Sequence, residues 1–323
     1  MSASAASLRS GTFVAPPGRP VLVVHGGAWD IPLDETDAHL DGVRRAVARG
    51  RRLLEAGQSA LRVVEETVVV LEDHPAFDAG RGAVLDADGL PQLDAGIMDG
   101  TTLAWGGVAN LRSVPNPVRL ARHLMGMDGQ MRLMVGEGAE RLAAELGLPH
   151  VEPEALIVER ERQRHARLRA ETAFHTSDAF AGDAPRGTVG CVALDARGRI
   201  AAATSTGGTP SVRGGRVGDS AVVGAGYWAD ASVGLSATGW GEAILTTGLC
   251  RRAAWEHRAG ASPQEAIGAA LSDMRERVVW ASASAATGGL IALDASGRAA
   301  WAFTTPRMAR GGWASGGEPW ADL

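Results

Sequence analysis

Two stretches in the second half of the chain limit the choice of fold more than any other feature. TVGCVALDARGRIAAATSTGG (188–208) and GGLIALDASGRAAWAF (288–303) each read as two strands joined by a tight turn. The turns are Asp195-Ala196-Arg197-Gly198 and Asp294-Ala295-Ser296-Gly297, residues that favour reversal of the chain. Alternation is imperfect in both units and their inner strands are largely apolar, as in central strands covered on both faces. Between them lie two helical segments, about Glu242–His257 and Pro263–Arg277. The second opens with Ser262 as N-cap, Pro263 at the first helical position and Glu265 as capping-box partner. Strand pairs separated by helices predict layered α/β (α+β) packing, with the sheet order left open by pattern alone.

The first half is consistent with that plan. Val21–Val24 reads as a buried strand that runs straight into His25-Gly26-Gly27-Ala28-Trp29. Leu40, Val43, Val47 and Leu54 stand at helical spacing over 36–56, although Gly50 weakens the pattern. Ser59 can cap a second helix reaching about Leu71. Strand-like pieces follow at Ala83–Leu85 and Pro91–Leu93, and residues 116–147 read as helical, with Met125, Met127, Met131 and Met134 as core packing. Residues 1–20 read as a loose leader. The polar, then small and Pro/Gly-bearing stretch over about 152–187 reads as a linker.

Composition narrows the function classes. Hydrophobic residues make up 45% of the chain and charged residues 21%, a soluble globular balance. The 43 glycines have no three-residue period, which excludes collagen, and they cluster where backbone must approach a ligand or another chain closely. A net charge of -5 gives no electrostatic reason to expect nucleic acid. The basic run Arg160–Arg169, flanked and interrupted by Glu159 and Glu161, reads as a solvated helix face. Cys191 and Cys250 sit in apolar patterns and read as buried thiols. The leader lacks an apolar stretch long enough for a secretory signal, and no run suffices to span a membrane, so a cytoplasmic protein without membrane partners is expected.

Chemistry-bearing residues gather after residue 186. Thr188, in Gly187-Thr188-Val189-Gly190, has a hydroxyl that needs a nearby base to become a nucleophile. A free α-amine on the same residue is such a base, and cleavage of the Gly187–Thr188 bond would create one. Thr206, in Thr204-Ser205-Thr206-Gly207-Gly208, lies at the far end of the same hairpin and can return to orient the Thr188 hydroxyl. Arg216 and Asp219 form a charge pair suited to a zwitterion, the guanidinium gripping a carboxylate and the carboxylate an ammonium. Thr238 and Gly239, in Ser236-Ala237-Thr238-Gly239-Trp240-Gly241-Glu242, can stabilise an oxyanion.

These runs, together with HGGAWD at 25–30, LEDHPAFDAGRGAVL at 71–85 and LDAGIMDG at 93–100, resemble the plant-type asparaginase and isoaspartyl peptidase family. That family is related to glycosylasparaginase among the N-terminal nucleophile hydrolases. The resemblance implies a four-layer αββα sandwich, cleaved into an α chain of residues 1–187 and a β chain of residues 188–323 that together form one structural domain. It implies Thr188 as nucleophile for both autocleavage and hydrolysis, with Thr206 as second active-site threonine. Arg216 and Asp219 would bind substrate, Gly239 and Gly241 would line it, and Thr238 and Gly239 would stabilise the oxyanion. The substrates implied are asparagine or an isoaspartyl dipeptide, releasing aspartate without a catalytic cofactor, in a homodimer of αβ units. A structural sodium ion is implied on the backbone carbonyls of Leu71, Glu72, His74, Phe77, Ala79 and Arg81.

The chain departs from the family pattern in places. Trp29 fills the last position of the usual HGGAG and is expected to narrow or cover the site. Asp78-Ala79-Gly80 replaces Asn-Ala-Gly, exchanging an amide donor for a carboxylate. Two alternatives stay open at this point: a glycosylasparaginase-like amidohydrolase, and a non-cleaving protein that binds aspartyl ligands.

Overall fold

The computed structural model describes residues 7–127, 131–170, 187–279 and 286–323. Two β-sheets form its middle. The larger contains β2 (Val21–Trp29), β3 (Leu93–Asp99), β4 (Trp105–Leu111), β5 (Leu133–Val135), β6 (Val189–Leu194), β7 (Ile200–Thr206), β12 (Arg307–Ala314) and β13 (Trp320–Asp322), in the order β13-β12-β2-β6-β7-β3-β4-β5. The smaller contains β1 (Arg9–Val14), β8 (Tyr227–Ala229), β9 (Val233–Gly239), β10 (Gly288–Asp294) and β11 (Arg298–Phe303), in the order β1-β11-β10-β9-β8. Pairing is antiparallel throughout except between β4 and β5.

The sheets face one another across a core that includes Val23, Val192, Ile291, Leu293 and Met308. Helices α1 (Thr36–Glu55), α2 (Ala60–Glu72) and α3 (Pro117–Gly126) cover the outer face of the large sheet. Helices α7 (Leu249–Arg258) and α8 (Pro263–Arg277) cover the small one. The architecture is the expected αββα sandwich. Strands buried on both sides explain the near-continuous apolar runs of β6, β7 and β10, where every residue is buried.

Both hairpins form as the sequence predicts, and their turns are near copies. Asp195 Oδ1 accepts from the Arg197 and Arg199 N–H groups, and Asp294 Oδ1 from those of Ser296 and Arg298. Ser59 caps α2, and the Ser262–Glu265 capping box opens α8. Cys191 and Cys250 are buried free thiols.

Several expectations need correction. The leader contributes edge strand β1, whose Gly- and Ser-containing sequence carries little apolar signal; Phe13 anchors it against Trp320. Ala83–Leu85 and Pro91–Leu93 form only an isolated Leu85–Pro91 bridge, and the ladder strand starts at Leu93. The stretch 116–147 divides into α3 and α4 (Gly136–Glu145), separated by edge strand β5, and Met131 is exposed while Met125 is buried. The 242–257 segment splits at Gly248, which adopts φ +57°, into α6 (Gly241–Thr247) and α7. Part of the expected linker is helix α5 (Glu159–Ala170), and residues 171–186 lie outside the described residues. Nor is the basic run wholly solvated: Glu161 and Arg164 are buried and paired with each other.

Among the described residues, no helix is long and apolar enough to cross a membrane.

Candidate active site

Thr188 stands immediately before β6, and the hairpin carries it back to the end of β7. Its Oγ1 donates to Thr206 Oγ1 at 2.9 Å, and the Gly208 N–H donates to the same Thr206 oxygen at 3.1 Å. Both threonines are buried. The expected approach of the two hydroxyls is therefore present.

On the carbonyl side of Thr188 lies a network that residue-by-residue reading of the sequence did not find. His25 on β2 places Nδ1 2.9 Å from the Thr188 carbonyl oxygen and Nε2 2.7 Å from Ser236 Oγ on β9. Ser236 Oγ is in turn 2.6 Å from Thr204 Oγ1, whose single O–H proton is shared between Ser236 Oγ and the Gly226 carbonyl 3.0 Å away. Complete burial lowers the His25 pKa to about 3, opposed by its bond to Thr188, so the ring is neutral at neutral pH. A carbonyl can only accept, so Nδ1 carries the proton and Nε2 accepts from Ser236. The network also accounts for the second glycine of GTVG. A Cβ on Gly190 would lie 2.0 Å from Ser236 Oγ and 2.4 Å from His25 Nε2. The available signal was a set of small polar residues inside otherwise apolar strands, where buried polar groups need partners.

Thr238 follows Ser236 on the same face of β9, since alternate strand residues point the same way. Its Oγ1 accepts from the Ala28 N–H at 3.3 Å, across the two sheets. Gly239 adopts φ +132°, and a Cβ there would approach Gly288 Cα to 2.4 Å. Only glycine fits that turn without strain.

Arg216 and Asp219 approach the same place from the loop before β8. The sequence predicts that they face a zwitterion together rather than serve as a surface ion pair; the guanidinium is braced through Nε by Glu242 Oε1 at 3.0 Å. Among the described residues, Arg216 Nη2 and Asp219 Oδ2 are buried without a hydrogen-bond partner. Gly241 leaves room for both groups: a Cβ there would lie 2.4 Å from Arg216 Nη2 and 2.9 Å from Asp219 Oδ1. Gly208, two residues beyond Thr206, connects the paired threonines to this loop, its would-be Cβ lying 3.7 Å from Arg216 Nη1.

The loop is held from beneath by residues the sequence did not single out. Asp94 accepts from the Gly218 and Asn110 N–H groups at 2.7 and 2.9 Å. Gln92 and Asn110 both donate to the Arg216 carbonyl. Burial pushes the Asp219 carboxyl up to about 7, with Arg216 opposing and Glu242 and Asp94 adding to the rise.

Two departures find physical explanations. Trp29 does not cover the site: it is buried against His39 on the α1 side, as alternation from Ala28 requires. Asp78 is buried beside Gly187, its backbone N 2.9 Å from the position of a Cβ there. Its Oδ1 accepts from the Val84 N–H, and burial pushes the carboxyl up to about 8. An acid held neutral at neutral pH carries an O–H donor where an amide would carry N–H.

The 71–81 loop closes on itself through the Arg81 N–H on the Glu72 carbonyl at 2.8 Å. Its neutral oxygens suit a hard cation, and Glu72 and His74 each use one carbonyl lone pair within the loop. Leu71 fits least, because its carbonyl already accepts from both Asp73 and His74. The His74 side chain is turned to Asp41, so only its backbone is available as a ligand. Among the described residues, no cluster of His, Cys, Asp and Glu suits a metal ion.

The four layers, with a buried threonine opening an inner strand beside a second threonine, have the architecture of the N-terminal nucleophile amidohydrolases. Comparison with known proteins agrees: the family model described as Asparaginase matches residues 18–319. An isoaspartyl peptidase/L-asparaginase of Xenopus laevis is 42% identical over 292 residues, covering 90% of this chain and 91% of the relative. The mouse protein of that name is 39% identical, covering 95% and 91%. An isoaspartyl peptidase of Escherichia coli is 40% identical, covering 91% and 92%. The chain belongs to the asparaginase family, and its substrate is accordingly a small molecule.

Proposed function

We propose that the chain is an autoprocessing threonine hydrolase that cleaves the side-chain amide of asparagine and the β-linked peptide bond of isoaspartyl dipeptides, releasing aspartate. The observation that carries this reading is the 2.9 Å bond from Thr188 Oγ1 to Thr206 Oγ1 at the residue following Gly187. The names of the relatives, isoaspartyl peptidase and L-asparaginase, support the substrate class.

In the precursor, the Thr188 hydroxyl attacks the Gly187 carbonyl carbon. The peptide C–N bond breaks, the nitrogen takes up a proton, and the resulting ester is hydrolysed by water. The products are an α chain of residues 1–187 and a β chain of residues 188–323, which stay together as one domain. The freed amine, with an ordinary pKa near 8, then takes the proton of the same hydroxyl. Thr188 attacks the side-chain carbonyl of the aspartyl unit while the Thr238–Gly239 turn stabilises the oxyanion. Ammonia or the downstream amino acid leaves, and water releases aspartate from the acyl-enzyme. Arg216 Nη2 takes the α-carboxylate and Asp219 the α-ammonium. Both groups belong to the aspartyl part, so the leaving group is free to vary.

A homodimer of αβ units and a sodium ion on the 71–81 carbonyls complete the proposal; neither enters a chemical step. The test is intact mass of the purified protein beside Thr188→Ala, with activity on asparagine, isoaspartyl-leucine and glycosylated asparagine. Two chains meeting at Gly187/Thr188 are expected in the parent and one in the variant. A parent that stays uncut and inactive on all three substrates would overturn the reading. Turnover of glycosylated asparagine alone would favour the glycosylasparaginase-like alternative.

A further inference from the structure

His25 and Ser236 touch no group that the proposed reaction transforms, yet they form a buried, hydrogen-bonded polar cluster beside the nucleophile. We propose that His25 is a positioning residue: its Nδ1–H holds the Thr188 carbonyl in place once cleavage has removed the covalent tether on the other side. The proposal rests on the hydrolase reading above. β6 begins at Val189, and its ladder with β2 ends at the pair His25–Gly190. Thr188 is thus one residue beyond the regular strand, where a side chain takes over from the ladder and holds its carbonyl.

Before cleavage, Gly187 is packed against the backbone of Asp78 and restrains Thr188 from the N-terminal side. After cleavage Thr188 is a chain end, and chain ends fray unless tied down. Among the described residues, two side-chain hydrogen bonds then hold it: Oγ1 to Thr206, and the carbonyl to His25. A catalytic group misplaced by about 1 Å can cost roughly a hundredfold in rate.

His25 is itself fixed. Ser236, Thr204 and the Gly226 carbonyl continue the chain of bonds from Nε2, and bare Gly190 leaves the ring its space. The same chain ties β2 and β7 of one sheet to β9 of the other, the strand that ends in Thr238–Gly239. Nucleophile and oxyanion turn therefore share one anchor.

The amide nitrogen of Asn can stand where His Nδ1 stands, whereas that of Gln reaches toward Nε2. The test compares His25→Asn, which retains the bond to Thr188, with His25→Gln, which retains the bond to Ser236. Both variants are expected to cut fully at Gly187/Thr188. On isoaspartyl-leucine, His25→Asn should keep kcat within about tenfold of the parent and His25→Gln should lose about a hundredfold, with KM unchanged in both. Ser236→Ala, a smaller change, should cut normally and lose kcat alone. Equal kcat in the two His25 variants, or a loss confined to KM, would overturn the proposal. So would a Ser236→Ala enzyme with the parent's kcat, or a folded variant with the parent's melting temperature that stays uncut. Cleavage and turnover by the parent test the hydrolase reading separately.

Discussion

The two ends of the site are finished to different degrees. Around Thr188 the polar atoms of His25, Ser236, Thr204 and Thr206 bond to one another or to backbone, and none of them titrates near neutral pH. Around Arg216, three carboxyl groups (Asp94, Asp219 and Glu242) act on one guanidinium, and Arg216 Nη2 and Asp219 Oδ2 are buried without hydrogen-bond partners among the described residues. A buried polar atom without a partner costs about 1–3 kcal/mol, more when charged. The hydroxyl and imidazole groups at Thr188 are bonded before substrate arrives, whereas on the proposed reading the unpartnered atoms of the clamp are satisfied by it. Damage to the first should therefore appear in kcat, and damage to the second in KM.

The largest effect expected is that of Arg216→Ala, which strands three carboxyl groups and removes the carboxylate grip. Truncating one partner of a buried charge pair costs about 2–5 kcal/mol, or roughly 30- to 4000-fold in KM. Autocleavage should proceed, because no α-carboxylate is involved in it. Steady-state kinetics on asparagine beside intact mass would check both halves, and an uncut variant of normal stability would break the division between the two ends. Next comes Thr206→Val, which preserves shape but removes the acceptor of the Thr188 hydroxyl. Loss of such a bond to a reacting group is expected to lower kcat by about a hundredfold with little change in KM. A loss seen in KM alone would contradict it.

How legible each end was follows from the same contrast. The hairpins, a layered α/β packing and the motif residues Thr188, Thr206, Arg216, Asp219, Thr238 and Gly239 were readable, because motifs and strand periodicity are local signals; the four-layer αββα order came only with the family resemblance. Edge strands β1 and β5 were not: six residues of mixed polarity in β1 and only three apolar ones in β5 carry little periodicity, and only pairing makes them strands. Partners were equally hidden. Arg216 and Asp219 were legible as a clamp, but not Glu242 as the partner that braces the guanidinium in a loop shaped by Asp94, Gln92 and Asn110. His25 and Ser236 are 211 residues apart, a distance across which only the facing of the two sheets makes them neighbours.

A pH profile sharpens the comparison further. Asp219 is raised to about 7 by burial, so it is ionised above that pH and protonated below it. Only the ionised form pairs with an ammonium, so KM should rise on acidification, by about tenfold between pH 8 and pH 6 for a single titrating group. Asp219→Asn should have a high KM that is flat over the same range. His25, lowered to about 3, contributes nothing there. The Thr188 amine, ordinarily near 8, should lower kcat on the same acid side. A parent KM that does not change between pH 6 and pH 8 would show that the clamp is not read through Asp219.

The smallest effect expected is at Glu242. Its carboxylate holds Arg216 by Nε, leaving Nη2 as the donor proposed to meet the substrate. Glu242→Gln keeps an oxygen acceptor but loses the charge, exchanging a charge-assisted bond for a neutral one, a difference of about 1 kcal/mol. The Glu242 side chain is 37% exposed, so solvent screens part of that. KM should rise about fivefold, kcat should hold and cleavage should be complete. Glu242→Ala, which frees the guanidinium to turn, should cost more than Glu242→Gln, and the excess measures how much of the clamp's grip is orientation. Equal effects from the two variants would mean that Glu242 supplies charge alone, and that the loop resting on Asp94, Gln92 and Asn110 is enough to aim Arg216.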